Sequence, residues 1–581
     1  MGEITISERT EVPPPENEAP SAPPTQRPWV RALVRLLRSE GALAFYVGLG
    51  ISLLINIRVV LRPTTLIIGP LGDPVLQAWQ MAWQHQFLTN GGDLWTGNQF
   101  YPAVDNLAFS DSLLGYLPLS LFGGGQGAAI FRYNVLFVLV FALAFAGGYL
   151  LVRQLGSNWQ GAALAGVVLA WSPWKLTHVA HLNVLSVGGI AFALWAVTRG
   201  FGYSLRSREE PKPWWAFAGW LIAAWQVTLG FAVGITFFYV MVGVGIAVAI
   251  VAWRHGRRMV IANAAGGLVF LLVTWVMVVP YLRVQEHYGF RRTWQDIIQY
   301  SPPVNGLWTT TIDSRLWTWS IFNDYSKIAD LGITEKLLFP GLFVVLFGVI
   351  GLFLSSFRIK ARIMLAVMVV VPTVLSIGVS FFGGVLYKLM WDVVPGWDAM
   401  RTPGRLILWA ILPLTVLAAG AVTEFGRLLY SRTRLPTRVV ALLLVVPAIA
   451  ALLEGIPRWP YADIPAVPAE VRSAMATKDP LLILPLIDND EFVNLLWSMN
   501  DFPKIANGNS GNFPPEYQNI RSATVVFPDD YSLDVLKFYG IRKVLVLKSR
   551  PGGEKIAARS VAGMPLKREE SGDVVIYTIT G

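Results

Sequence analysis

Four carboxylates stand in one polar stretch of the chain, residues 72–118: Asp73 in GPLGDP, then Asp93, then Asp105 and Asp111 in YPAVDNLAFSDSLLGYLP. Trp79, Trp83, Trp95, Phe100 and Tyr101 lie among them, with few cations. A carboxylate in such a setting can deprotonate an acceptor hydroxyl or hold one by hydrogen bonds. Asp73 is the leading candidate, because Gly72 and Pro74 fix a turn around it. Asp followed by Pro is also a good helix cap, a role compatible with the first. Asp105 and Asp111 are second candidates for substrate contact, and Asp111 is also placed to cap SLLGYLPL.

His178 and His181, in SPWKLTHVAHLN, are spaced i, i+3, which can put two imidazoles on one helical face toward a metal. No HExxH and no acidic cluster accompanies them, so the favoured reading is a polar pair that hydrogen-bonds a sugar, a phosphate or the Asp73 loop, with a metal left open. Lys175 beside them is either a phosphate partner or an interfacial cation whose stem lies along apolar surface. Arg283, Arg291 and Arg292 in YLRVQEHYGFRRTWQDIIQYSPP, and Arg401 and Arg405 in MRTPGRL, supply groups that grip phosphate through paired hydrogen bonds. Their alternative is pairing with Glu286, Asp296, Asp392 or Asp398. Trp308, Trp317, Trp319 and Tyr325 either stack on sugar rings or sit in an interfacial aromatic belt, and the belt is the commoner use.

The elements that must position these groups are membrane helices. Of 581 residues 54% are hydrophobic and only 14% charged, and many apolar runs approach the ~20 residues that cross a bilayer. The fold class is therefore an all-α polytopic membrane protein with about eleven spans, at 41–61, 128–152, 160–172, 183–199, 214–230, 232–253, 261–282, 337–356, 361–380, 405–425 and 438–456. Every loop this count places with the N-terminus carries cations: Arg27 to Arg38, Arg153, Arg206 with Arg208 and Lys212, Arg254 with Arg257 and Arg258, Arg358 with Lys360 and Arg362, and Arg427 to Arg438. The positive-inside rule then puts the N-terminus in the cytoplasm and the C-terminus outside a bacterial inner membrane. The long loops 62–127 and 283–336 fall outside, with the short turn 173–182 and the loop 381–404.

Three domains follow. Residues 1–40 are a Pro-rich disordered tail (1–28) leading into an amphipathic helix on the anionic leaflet, with Arg31, Arg35 and Arg38 at helical spacing. Residues 41–456 are the membrane domain. Residues 457–581 regain charge and carry β-type runs, LLILPL, KVLVL and VVIYTI, with a helix over 532–541 that begins at a Ser cap; they read as a small extracytoplasmic α/β domain. The net charge of +10 is explained by the loops and gives no evidence for nucleic acid. The chain contains no cysteine, which excludes disulfides and thiol chemistry. It has neither a Walker loop nor a GxSxG elbow, and the few ionisable residues inside its spans argue against an ion-coupled transporter.

GDPVLQAWQMAW, FYPAVDNLAFSD, SPWKLTHVAHLN, RRTWQDIIQYS, EKLLFPG and RTPGRL together resemble the GT-C superfamily of membrane glycosyltransferases, in its poorly characterised bacterial branch. That resemblance implies inverting transfer of a sugar from a polyprenyl-phosphate donor to a glycan, lipid or protein acceptor, with membrane lipids around the site. It implies Asp73 as the catalytic carboxylate; the favoured mechanism then puts Arg291, Arg292 or Arg401 on the leaving phosphate, with Arg405 a further substrate contact, and has His178 and His181 position the donor. It leaves room for a divalent cation, Mg or Mn. Many members carry paired acids where Asp73 stands alone, so a second carboxylate would come from Asp93, Asp105, Asp111 or a later loop. The alternative is a GT-C-fold lipid or glycolipid transporter or scaffold without catalysis.

Overall fold

A computed structural model of the chain describes residues 34–207, 209–317, 328 and 333–580. The expected disordered tail, the first residues of the amphipathic helix (29–33), Arg208, Trp319 and Tyr325 lie outside the described residues; of the amphipathic helix, residues 34–37 are helical.

Helices occupy all of the stretches expected to be spans, but they differ in length. Seven are long and apolar enough to cross a membrane: Gly125–Gln154, Leu182–Gly200, Phe231–His255, Arg257–Tyr288, Ile359–Ser376, Pro403–Arg432 and Thr437–Glu454. The other four are Glu40–Ile55, Trp159–Trp171, Pro213–Val227 and Leu342–Phe353, of 16, 13, 15 and 12 residues. At ~1.5 Å rise per residue they reach ~18–24 Å, against a hydrocarbon thickness of ~30 Å. Among the described residues, seven helices thus reach spanning length on their own.

Gly125–Gln154 and Pro403–Arg432 are buried over most of their length and form the centre, whereas Phe231–His255, Arg257–Tyr288 and Ile359–Ser376 turn most of their surface outward. Small residues let the central helices touch. A Cβ on Gly161 would lie 2.7 Å from the Ala419 carbonyl oxygen, and one on Gly351 2.1 Å from that of Leu417. Such backbone-to-backbone packing replaces the hydrophobic effect, which is absent between helices in lipid. Glu454, buried at the end of its span, accepts hydrogen bonds from Leu342 N (2.7 Å) and Phe343 N (3.2 Å), so a carboxylate meets the open N–H groups at the start of Leu342–Phe353.

Outside the helices, the first outer loop and the C-terminal segment are built together. Strand β1 (Leu66–Ile68) pairs antiparallel with β2 (Tyr461–Asp463). The larger sheet has the order β3 (Leu481–Leu484), β4 (Lys543–Leu547), β6 (Val574–Ile579), β5 (Leu566–Ser571), with β3 and β4 parallel and the other pairs antiparallel. Three of these strands are the apolar runs read from sequence. The fourth, β5, escaped because its LKREES is polar and mostly exposed, an edge strand blunted by charge. The expected helix at 532–541 is Asp530–Phe538, capped by Asp529, with Ser532 as the reciprocal partner in a capping box.

The loop ANGNSGNFPP is a seam. Ile505 N donates to Asn98 O (2.9 Å), Tyr101 N to Ile505 O (2.9 Å) and Phe100 N to Asn507 O (3.0 Å). The Asn507 side chain donates to Ile483 O (2.9 Å) and accepts from Ile483 N (2.7 Å). Behind the seam, the fully enclosed Glu491 accepts from Asn507 Nδ2 (3.1 Å) and Gly508 N (2.9 Å). Burial pushes its carboxyl up to about 8 despite those two bonds. A group whose folded pKa is raised stabilises fully below its unfolded value and loses that contribution as pH rises to the folded one. Thermal unfolding of the full chain in detergent is therefore expected to weaken between about pH 4 and about pH 8. Glu491→Gln should flatten that slope and match or exceed the wild type at pH 8; an unchanged slope would remove Glu491 as its source.

Candidate active site

Asp73 opens the helix Asp73–Asn90 but does not cap it. The N-cap is Gly72, which makes no side-chain capping bond. The carboxylate turns to His181 instead, with Oδ2 3.1 Å from Nε2. The helix start is pinned from behind, where Gly69 N donates to Pro460 O (2.9 Å) next to the β1–β2 pair. One turn along, Gln77 accepts from Leu182 N (3.0 Å) and donates to Asn183 Oδ1 (3.3 Å). The helix that carries Asp73 is thereby locked to the loop that carries the histidines.

That loop is compact. His178 N donates to Lys175 O (3.2 Å) and His181 N to His178 O (2.8 Å), which brings the two Nδ1 atoms to 3.4 Å. His178 is buried, and burial drops its pKa to about 3, so it is a neutral imidazole. Its Nε2 is buried without a hydrogen-bond partner among the described residues.

The third contributor was not singled out from sequence. Glu335 lies in a 3-10 turn, Ile333–Lys336, and is almost fully buried. Its two oxygens accept from Arg405 Nε at 3.1 and 3.0 Å, and Arg405 Nη2 closes the bidentate pair. Gly404 lets the two segments meet, since a Cβ there would lie 2.1 Å from Glu335 O. Burial opposes the charge on Glu335, yet the Arg405 guanidinium beside it holds its carboxyl far below the usual range. One donor atom from each of His178, His181 and Glu335 falls within 4.8 Å of the others. The only signal in sequence was an acid directly ahead of an apolar run in ITEKLLFPG.

Enclosure of Asp73 would by itself raise its carboxyl. The His181 hydrogen bond and the charges of His181, Arg405 and Arg401 outweigh that and hold it below its ordinary value. Its side chain keeps 42% exposure, so it is ionised and open to a ligand. Arg401 acts electrostatically on both Asp73 and Arg292 and lies 5.0 Å over the Tyr300 ring. Arg292 is half-buried and donates to Gly511 O (3.3 Å). Arg291 is exposed, and among the described residues neither it nor Arg401 forms an ion pair. Arg405 is committed to Glu335, a partner absent from the pairings weighed on sequence.

Three expected contacts fall elsewhere. Lys175 Nζ is buried and donates to Leu185 O (2.6 Å), bracing the histidine loop instead of facing solvent or a phosphate; burial lowers its pKa to about 7. Asp111 accepts from Phe231 N (2.6 Å) and Ala232 N (3.3 Å) and from the Asn183 amide. It caps Phe231–Ala252, not the segment that follows it in sequence. Asp105, at φ +52, pairs with Arg283 at 3.1 Å. Trp308 is exposed at 44%, and Trp317 packs edge-on to Phe339 at 6.4 Å.

Family models give no match to this chain, and neither do curated proteins. Solved structures do. Two classes of the arabinofuranosyltransferase AftD from mycobacteria superpose with TM-scores of 0.54 and 0.56 at 16% and 14% identity, over 93% and 92% of this chain. The chain spans about two fifths of AftD, 41% of its length. The oligosaccharyltransferase AglB of Archaeoglobus fulgidus, solved with an inhibitory peptide and a dolichol-phosphate, aligns at TM-score 0.48 and 12% identity over 87% of this chain and 69% of its own. ArnT of Cupriavidus metallidurans, bound to undecaprenyl phosphate, aligns at 0.40 and 13% over 95% and 99%. All three are GT-C glycosyltransferases. The superposition on AftD shows that this multi-helix membrane chain shares the fold of that GT-C glycosyltransferase.

Glu335→Ala is expected to cost about 3–5 kcal/mol in thermal unfolding, because it strands a buried guanidinium. Adding Arg405→Met should recover most of the loss. A single variant as stable as wild type would contradict the pair's structural role.

Proposed function

We propose that this chain is a membrane glycosyltransferase that moves a sugar, with inversion, from a polyprenyl-phosphate donor to a hydroxyl of a cell-envelope glycan, glycolipid or protein. One observation carries the reading: within the GT-C fold, an ionised and accessible Asp73 is held by His181 rather than by its own helix, beside the cation Arg401. The orientation proposed for the chain follows its loop charges, with this site on the extracytoplasmic face.

In the proposed reaction the acceptor oxygen attacks the anomeric carbon opposite the phosphate. The old C–O bond breaks with its electron pair leaving on the phosphate oxygen, and the acceptor proton passes to a carboxylate or on to solvent. Asp73 accepts a hydrogen bond from the hydroxyl and aims its lone pair. A carboxylate held below its ordinary pKa is a weak base, so orientation and stabilisation of the developing positive charge are its main work, with proton acceptance late. Arg401 and Arg292 face the growing charge on the departing phosphate, and fixed cations there lower the barrier most as the bond breaks. Arg405 contributes its field while bound to Glu335.

His178, His181 and Glu335, with Asp73 adjoining, fit a divalent cation: their donor atoms converge, and His178 Nε2 is buried without another partner among the described residues. A mixed imidazole and carboxylate set suits Mn or Zn better than Mg. Such an ion would supply positive charge to the donor phosphate.

Asp73→Asn in a reconstituted assay with a polyprenyl-phosphate sugar is expected to lower transfer about 10²–10⁴-fold with an unchanged melting temperature. Full activity in the folded variant would take Asp73 out of the mechanism. Chelation should abolish transfer, and added Mn should restore it; activity indifferent to chelator would remove the ion. A wild-type protein that transfers from no lipid-phosphate donor, though it moves the lipid between leaflets, would replace transferase with transporter.

A further inference from the structure

Away from the loops of the site, the helices Phe231–Ala252 and Arg257–Tyr288 border a groove of about 610 Å³. Met241, Ile246 and Trp253 line one wall, Gly267 and Leu271 the other, and Trp220 forms the floor. Three features point to its occupant.

The first is polarity. The three side chains in the lining that carry polar atoms are all satisfied: Trp220 Nε1 donates to Asn263 Oδ1 (3.0 Å), Asn263 Nδ2 to Met259 O (2.8 Å) and Trp253 Nε1 to Ile250 O (2.8 Å). Nothing there invites a sugar or a hydrogen-bonding ligand, so the groove fits hydrocarbon, and its volume is in the range of small-molecule sites. The second is shape. A Cβ on Gly267 would meet no atom within 4 Å, so the space beside it is open and not a packing requirement between the helices.

The third is charge. Ala252 and Trp253 at one end of the lining, and Val260 at the other, flank the turn 254–259. That turn carries Arg254, Arg257 and Arg258, all exposed, and among the described residues none of the three forms an ion pair. The Arg254 guanidinium lies 5.3 Å over the Trp253 ring, and Trp253 itself is 67% exposed. Tryptophan and arginine so arranged mark the headgroup level of a bilayer. A hydrocarbon groove that ends at a triad of arginines complements one class of molecule, a lipid with an anionic headgroup, whose phosphate each nearby cation holds at the surface.

We propose that this groove is a site for an anionic phospholipid, with an acyl chain between the two helices and the phosphate at Arg254, Arg257 and Arg258. Helix Arg257–Tyr288 has 32 residues, a length of ~48 Å. The groove lies at its Arg257 end, whereas Tyr288 at the other end hydrogen-bonds Val104 of the first outer loop. The site is thus at the opposite end of this helix from the first outer loop, and it does not rest on the proposed transferase activity.

The absence of cysteine makes the test clean. The full chain with Gly267→Cys, labelled with a bimane fluorophore, is reconstituted into phosphatidylcholine vesicles doped with phosphatidylglycerol or phosphatidylethanolamine bearing brominated acyl chains. Quenching by the brominated phosphatidylglycerol is expected to reach half-maximum at a several-fold lower mole fraction than quenching by the phosphatidylethanolamine. Adding Arg254→Ala, Arg257→Ala and Arg258→Ala should abolish that difference and leave quenching itself in place. Identical curves for the two headgroups would overturn the proposal, as would a preference that survives loss of the arginines. So would a label shielded from both lipids in a preparation that native mass spectrometry finds dimeric, since a second copy would then fill the groove. If the labelled variant does not fold, native mass spectrometry of cysteine-free wild type and the triple arginine variant, from vesicles of equal phosphatidylglycerol and phosphatidylethanolamine, decides the same question. Enrichment of phosphatidylglycerol in wild type alone supports the site, and equal adducts in both proteins sink it.

Discussion

A carboxylate enclosed by protein must be matched by a positive charge, and the enclosed pair Glu335–Arg405 sets the geometry of everything around it. The bidentate contact ties the turn Ile333–Lys336 to the entry of the span Pro403–Arg432. Even while paired, the Arg405 guanidinium acts on Asp73 and helps to hold its carboxyl below the ordinary value, and Arg401, which forms no ion pair among the described residues, adds to that effect. Removing water from such a pair is expensive, and only good geometry repays it. Gly404 supplies that geometry by allowing backbone contact at Glu335.

The same logic of shared construction applies to the first outer loop. It is bonded to the C-terminal segment at several places, among them β1 with β2, residues 98–101 with 503–507 and Phe109 with Asn512, so its long irregular course is held by hydrogen bonds across the chain rather than by its own helix propensity. The helix that carries Asp73 begins within a few residues of β1. The C-terminal segment therefore acts as a brace for the candidate site, and Glu491 behind the seam makes part of that brace sensitive to pH.

Inside the membrane region the helices divide into a packed centre and an outward rim. The centre uses Gly and Ala to bring backbones together. The rim helices Phe231–Ala252 and Arg257–Tyr288 keep large apolar side chains outward and leave an apolar groove between them.

The order of residues was enough to reveal the membrane class, the positions of the helices and three of the six strands, and to single out Asp73 and the histidine pair as candidates, since apolar periodicity, turn residues and local spacing are properties of neighbours along the chain. It also carried the resemblance to the GT-C fold in short motifs. Partnership across the chain was not legible there. Asp73 meets His181 over a gap of 108 positions, and Arg405 meets Glu335 over 70. Asp111 and Lys175 carry the right chemistry for a substrate contact, and it took the folded arrangement to turn them inward, one to cap a distant helix and the other to brace a loop. The four shorter helices were equally illegible, because apolarity marks a run as buried while the length that spans is set by where neighbouring segments end it. A carboxylate's role depends on which donor reaches it in space, and that is decided by packing, not by the residues on either side of it.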